Sequence, residues 1–154
     1  MTKATQEKRR KGAISLFLLI SCIRLVSSAP VINEQTLKTQ VMLDRAGLKL
    51  QDFDFYEIHE AFAAQVLATL KAWEDPAYCK GVLGKDEPLG SIDRTKINVK
   101  GSSLAVGHPF AATGARIMGN LAKLLSENRG RGLISICTAG GMGVAAILES
   151  AKAA

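Results

Sequence analysis

Leu133-Ile134-Ser135-Ile136-Cys137-Thr138-Ala139-Gly140-Gly141-Met142-Gly143-Val144-Ala145-Ala146-Ile147-Leu148 is the stretch that decides the fold. Leu133 to Cys137 reads as a continuous apolar strand, with only the small Ser135 inside it. Such a run reads as a strand covered on both faces. Gly140-Gly141 makes a sharp turn, and Val144 to Leu148 reads as a returning strand, so the segment predicts a hairpin. A strand covered twice needs helices on either side of its sheet. Working outward, Ala111 to Ser126 has helical spacing, and Asn128 to Gly132 breaks it. Ile97-Asn98-Val99 is a short strand candidate. Residues 75–95, with two Pro, three Gly and mixed charge, read as loop. A helix is expected from Glu60 to Trp73 through Ala61, Ala64, Leu67, Ala68 and Leu70, ended by Glu74-Asp75-Pro76. Phe53 to Ile58 has strand character. Leu37, Val41, Leu43 and Ala46 recur at helical spacing, with Gly47 as C-cap. The order helix, strand, helix, strand, helix, strand, strand predicts a layered α/β domain, a mixed sheet with helices on its faces.

The totals fit one domain of 154 residues, 47% hydrophobic and only 5% aromatic, so the core must be mostly aliphatic. The net charge of +6 hints at nucleic acid or membrane, but its placement argues otherwise. Lys3, Lys8, Arg9, Arg10, Lys11 and Arg24 against Glu7 put +5 into residues 1–30, leaving +1 for the rest. No basic stripe interleaved with aromatics follows, and nucleic-acid binding is not expected. Cys22, Cys79 and Cys137 are odd in number and widely spaced. They make neither a disulfide framework nor a zinc pattern, and no metal site is expected.

Residues 1–30 read differently from 31–154. Lys8-Arg9-Arg10-Lys11 precedes an apolar run from Ala13 to Ile23, then Ser27-Ser28-Ala29-Pro30. This is the layout of a secretory signal peptide, and the run is short for a membrane span. An organelle transit peptide, a foreign start, or a strand or helix docked on the domain are the competing readings.

Three segments place chemical side chains at element ends, where sites concentrate. His59 stands where a strand passes into a helix, either filling that junction or acting as a donor or acid/base. Glu60 would follow in the first helical turn, where its charge suits the helix dipole. His108, in Gly107-His108-Pro109, opens the helix after it, and Pro109 suits a helix start. Cys137 ends the apolar strand before a glycine-rich turn. It is either a buried small hydrophobe or a thiol whose pKa a nearby histidine lowers. Successive N–H groups after it could receive an oxyanion.

Together the three segments resemble the thiolases. Tyr56-Glu57-Ile58-His59-Glu60-Ala61-Phe62-Ala63-Ala64-Gln65 is similar to the segment usually read Asn-Glu-Ala-Phe. Its histidine matches the branch of fatty-acid β-oxidation trifunctional-complex β-subunits and 3-ketoacyl-CoA thiolases. Residues 101–116, Gly101 to Arg116, resemble the Gly-His-Pro segment, and Cys137 to Gly143 the C-terminal Cys-x-x-Gly-Gly segment. The resemblance runs from about Asn33 to Glu149 and implies a thiolase-like C-terminal half.

It implies thiolytic cleavage of a 3-ketoacyl-CoA, or the reverse Claisen condensation. His59 and His108 would supply the oxyanion hole for the acetyl-CoA enolate, and Cys137 would be the acid/base. The backbone at Ala139 and Gly140 would form part of a second oxyanion hole. Phe62 would line the pantetheine channel. No cofactor is implied beyond CoA and acyl-CoA as substrates, and a homo- or hetero-oligomer is expected. The family's N-terminal half, with its nucleophilic cysteine, has no counterpart around Cys22 or Cys79. The isolated chain is therefore expected not to turn over. The alternatives are a non-catalytic remnant that binds acyl-CoA or a partner subunit, and a Cys/His hydrolase using Glu57 or Glu60. The family points to a mitochondrial or cytoplasmic location, and Lys152-Ala153-Ala154 is not a peroxisomal address.

Overall fold

The computed structural model describes residues 34–151 and the two-residue strand Ile14–Ser15. The elements are β1 (Ile14–Ser15), α1 (Glu34–Ala46), β2 (Phe55–Ile58), α2 (Ala63–Glu74), α3 (Pro76–Gly81), a 3-10 turn (Arg94–Lys96), α4 (Ser103–Val106), α5 (Thr113–Asn128), β3 (Arg131–Thr138) and β4 (Met142–Ser150). The sheet order is β1-β4-β3-β2. β2 runs parallel to β3, while β4 is antiparallel to both β3 and β1. The sheet is mixed, as expected.

Strand β3 is the middle of three layers. Leu133 faces α1 and α2, packing with Met42, Leu43, Tyr56, Ile58, Leu70 and Trp73. Ile134 faces the other way and packs, with Ala146 and Leu148, on Ile117, Leu121 and Leu125 of α5. The apolar run is thus covered on both sides. The hairpin also forms, longer than the sequence suggests, with Cys137 opposite Gly143 and Thr138 opposite Met142. Gly140 and Gly141 take φ of 77° and 66°, a region that side chains strain to adopt.

Two glycines set how closely the helices approach. A Cβ on Gly132 would run into the side chain of Leu121 on α5. A Cβ on Gly143 would lie 2.7 Å from the Glu34 carbonyl oxygen, so α1 rests its first turn directly on β4.

Several boundaries differ from expectation. Residues 75–95 contain a helix, α3. Asp75 caps it, its Oδ1 accepting from Ala77 N at 2.8 Å and Tyr78 N at 3.1 Å, with Pro76 in the first helical turn. Proline fits there because that N–H has no helical partner anyway. The proline that ends one helix therefore starts the next. Residues 97–99 form no strand; Ile97 makes a single parallel bridge to Tyr56. Asn98 then turns at φ 48°. The Gly-Ser-Ser segment leads into the short helix α4 rather than only a turn. The reading of residues 1–30 lies outside the described residues, except that Ile14–Ser15 pairs with β4 as a strand. Among the described residues no helix is long and apolar enough to cross a membrane.

The Leu121–Gly132 contact yields a test. Leu121→Ala removes a fully buried side chain and should cost about 3 kcal/mol in urea unfolding. Gly132→Ala should destabilise the native chain but lose less, or recover stability, in the Leu121→Ala background. Strictly additive effects would show that this contact does not set the helix–sheet spacing.

Candidate active site

The site is built from the strand end upward. The His59 N–H donates to Ser135 O at 2.9 Å, extending the β2–β3 ladder by one rung. Gln35 on α1 ties the same corner, its Nε2 donating to Ser135 O at 3.2 Å and His59 O at 3.4 Å. On the other side Asn98 clamps Ile58. Its Oδ1 accepts from Ile58 N and its Nδ2 donates to Ile58 O, both at 2.9 Å. The His59 backbone is thereby held from three directions, and its residue is 1% exposed.

Glu60 does not lie in the first turn of α2, which begins at Ala63. Its carboxylate accepts from Asn98 Nδ2 at 2.8 Å and from Leu104 N at 3.1 Å. It caps α4 instead, a favourable place for a negative charge near free N–H groups. Phe62 is the residue before α2 and is 73% exposed.

Helix α4 ends at Gly107, φ 87°, which swings the chain so that His108 comes back over His59. The two rings lie with centroids 4.5 Å apart, tilted by 50°. Phe110 meets His108 edge-on at 5.2 Å and is 86% exposed. Pro109 does not open α5. The helix starts at Thr113, and Pro109 O accepts from Ala112 N and Thr113 Oγ1, both at 3.2 Å. With its proton on Pro109 O, the Thr113 hydroxyl accepts from His108 Nδ1–H at 2.7 Å. With the threonine proton so placed, the pairing implies the Nδ1–H form of His108. Its Nε2 is then a lone pair when the ring is neutral and a donor when it is protonated.

Cys137 stands at the end of β3. With His108, Phe110, Thr113, Met118 and Ile136 it lines a largely apolar cavity of about 490 Å³ between α5 and the hairpin. His59 and Phe62 do not line that cavity. No hydrogen bond links Cys137 to either histidine among the described residues. The expectation that a histidine lowers its pKa is overturned. Burial pushes the thiol up, its own backbone N–H offsets part of that, and Glu34 adds to the rise. The thiol is therefore protonated at neutral pH. With Glu60 committed to Asn98 and Leu104, a Cys–His–carboxylate triad is not assembled. Ala139 and Gly140 lie exposed in the hairpin turn, and Ala139 avoids left-handed φ.

Burial lowers the His59 pKa, with His108 and Arg116 adding to the effect and Glu60 opposing it. The ring is neutral at physiological pH. Beneath it lie groups whose arrangement the motifs do not give. Glu57 is 1% exposed, and neither carboxylate oxygen has a hydrogen-bond partner. Burial, opposed by Arg116 and assisted by Glu60, pushes its pKa up to about 7. Arg116 on α5 donates from Nη2 to Ser103 Oγ at 2.8 Å, and Ser103 Oγ lies 3.1 Å from His59 Nδ1. In the sequence Ser103 reads as turn chemistry and Arg116 falls within the helix expected over 111–126. Their spacing of 13 residues matches no local signal.

Helices on both faces of a mixed sheet, with two histidines and a cysteine at element ends, define a layered α/β domain as the class. A family model described as the C-terminal domain of thiolase matches residues 25–150, and the chain belongs to the thiolase family. A 3-ketoacyl-CoA thiolase of Alteromonas mediterranea is 48% identical over 113 residues, 73% of this chain and 26% of that protein. One from Colwellia psychrerythraea is 49% identical over the same share. The chain thus spans about a quarter of the length of these relatives. The crystal structure of an acetyl-CoA acetyltransferase from Bacillus anthracis superposes with a TM-score of 0.65 at 29% identity, covering 98% of this chain and 34% of that one.

Glu57 gives a pH signature. Its folded pKa of about 7 lies above its ordinary 4.5, so the folded state holds the proton more tightly. Below pH 4.5 both states are protonated and Glu57 does not oppose folding. As pH rises through 7 that advantage is lost, at a full cost of about 3 kcal/mol. Glu57→Gln should therefore gain stability relative to the native chain between pH 4.5 and 7, then plateau. A difference that does not change with pH in urea titrations would refute the buried-carboxyl account.

Proposed function

We propose that this chain supplies the enolate-handling part of a thiolase site. The reaction is cleavage of a 3-ketoacyl-CoA by CoA to an acyl-CoA and acetyl-CoA, or the reverse condensation. The observation that carries this reading is the His59–His108 pair, stacked at 4.5 Å, with His108 on the wall of the cavity that holds Cys137. The relatives named 3-ketoacyl-CoA thiolase support the substrate class, and the histidine at position 59 is the ground for the trifunctional-complex branch.

The roles follow from chemistry. A cysteine from the family's N-terminal half gives its proton to His108 Nε2 and attacks the ketone carbon, the Cα–Cβ bond breaks, and His108 returns that proton when the cysteine is released. The electron pair becomes the enolate of acetyl-CoA. Its oxygen needs donors already in place, because reorienting them during the reaction costs energy. A neutral His59 donates from Nε2, and His108 donates when protonated. Cys137, held as a thiol by its raised pKa, gives its proton to the enolate carbon. The resulting thiolate takes the proton of the incoming CoA thiol, and the CoA sulfur attacks the acyl-enzyme to release product. The backbone N–H groups at Ala139 and Gly140 receive the thioester oxygen. Phe62, exposed beside His59, borders the pantetheine path.

Leu104, Val106 and Phe110 are exposed apolar side chains around His108. A surface of that kind next to a site calls for a covering partner, which fits the N-terminal half and an oligomer.

The test uses acetoacetyl-CoA and CoA, following loss of the ketoacyl absorbance. The chain alone should be inert. Addition of a thiolase N-terminal half bearing its nucleophilic cysteine should give turnover. Cys137→Ala should then lower kcat by about 10²–10⁴-fold and His59→Ala by about 10²–10³-fold. Turnover by the chain alone would overturn the divided site. Soluble, associated halves without turnover would favour a non-catalytic remnant.

A further inference from the structure

We infer that Arg116, acting through the Ser103 hydroxyl, is a positioning residue that fixes His59 as its Nε2–H tautomer. The thiolase reading supplies the consequence of this relay, but its geometry stands on its own.

The relay follows from counting protons. A guanidinium has only donors, so in the Arg116 Nη2–Ser103 Oγ contact at 2.8 Å the hydroxyl must accept. Ser103 keeps its own proton to give, and the acceptor within reach is His59 Nδ1 at 3.1 Å. An imidazole that accepts at Nδ1 carries its hydrogen on Nε2 when neutral. Ser103 is 6% exposed and His59 1%, so water does not compete for these bonds.

The arrangement is asymmetric in a way that favours this direction. Arg116 Nε and Nη1 have no hydrogen-bond partner, and the guanidinium makes no ion pair among the described residues. Its one hydrogen bond to protein is the one on Ser103. A structural arginine would be expected to spend more of its five donors. The nearby Glu57 carboxyl makes no hydrogen bond and so does not compete for Nη2. Arg116 sits on α5, which packs on Ile134 through Ile117 and Leu121. The helix therefore sets the position of the relay relative to β3.

The two histidines end up complementary. Thr113 takes the Nδ1 proton of His108, whereas Ser103 gives a proton to Nδ1 of His59. Neutral His59 is thus a donor at Nε2 and neutral His108 an acceptor there. A single site then holds one fixed donor and one group that can accept and return a proton. In the proposed reaction the first suits an enolate oxygen, and the second a thiol.

The test is long-range ¹H–¹⁵N correlation of the histidine rings in the ¹⁵N-labelled 154-residue chain at neutral pH. Only two histidines are present, and His108→Gln assigns them. His59 should show Nδ1 in the unprotonated, pyridine-type range and Nε2 in the protonated, pyrrole-type range. Ser103→Ala should move the tautomer ratio about five-fold or more toward Nδ1–H, the factor that one net hydrogen bond gives. Ser103→Thr, which keeps the hydroxyl, should restore the native pattern. Arg116→Met should shift the ratio in the same direction as Ser103→Ala. An Nδ1–H pattern in the native chain overturns the inference even if a variant fails to fold. So does a ratio indifferent to both substitutions. None of these readouts needs turnover, so they are independent of whether the chain serves a thiolase.

Discussion

Strand β3 is buried on both faces from Gly132 to Ser135, and the rest of the structure depends on that. A strand covered twice must satisfy every backbone group through its neighbours. β4 supplies one side by hairpin, and β2 the other in parallel. A parallel neighbour cannot come from a tight turn. The chain between β2 and β3 must instead travel around the sheet, and it does so through α2, α3, α4 and α5. His59, Glu60, Asn98, Ser103, His108, Thr113 and Arg116 are carried on that path. The site is thus a by-product of how one apolar strand finds its second neighbour.

Close approach is what turns this topology into geometry. Gly132 lets Leu121 rest on the sheet, and Gly143 lets the first turn of α1 rest on β4. α5 is then low enough for Arg116 to reach Ser103, and α1 for Gln35 to reach the carbonyls of His59 and Ser135. Larger residues at either glycine would lift a helix by the width of a methyl group. Hydrogen bonds near 3 Å tolerate little of that. The apolar packing and the polar corner are therefore one constraint, although they use different residues.

What the sequence makes legible is what is local. The hairpin, the Gly47 cap, α1 and α5 are read from spacing alone, since periodicity is carried within each element. The three motif segments are legible too, because each lies in fewer than twenty consecutive residues. The misread features are all settled by distant partners. Glu60 looks like a first-turn residue of α2 but is held by Asn98 and Leu104, 38 and 44 positions away. Asn98 looks like the middle of a strand but spends its amide on both backbone groups of Ile58. Pro76 stops one helix and starts another, and only the Asp75 cap tells which use dominates. Ser103 and Arg116 have ordinary neighbours, and their relay exists only once α5 is docked.

Cys137 shows how burial can invert an expectation without removing the chemistry. Sequence proximity to glycine and the presence of two histidines suggest an activated thiolate. The structure gives the thiol an apolar cavity and the Glu34 carboxylate instead, and both favour the neutral form. A thiolate would be the right resting state for a nucleophile. A thiol is the right resting state for a group whose first task is to give a proton away. Burial likewise keeps His59 neutral, and its neutral form still donates because of where Ser103 puts the proton. Each of the two groups therefore keeps its proton in a setting that disfavours charge. Negative charge brought beside either one would meet a donor that need not first lose a counter-ion or a shell of water.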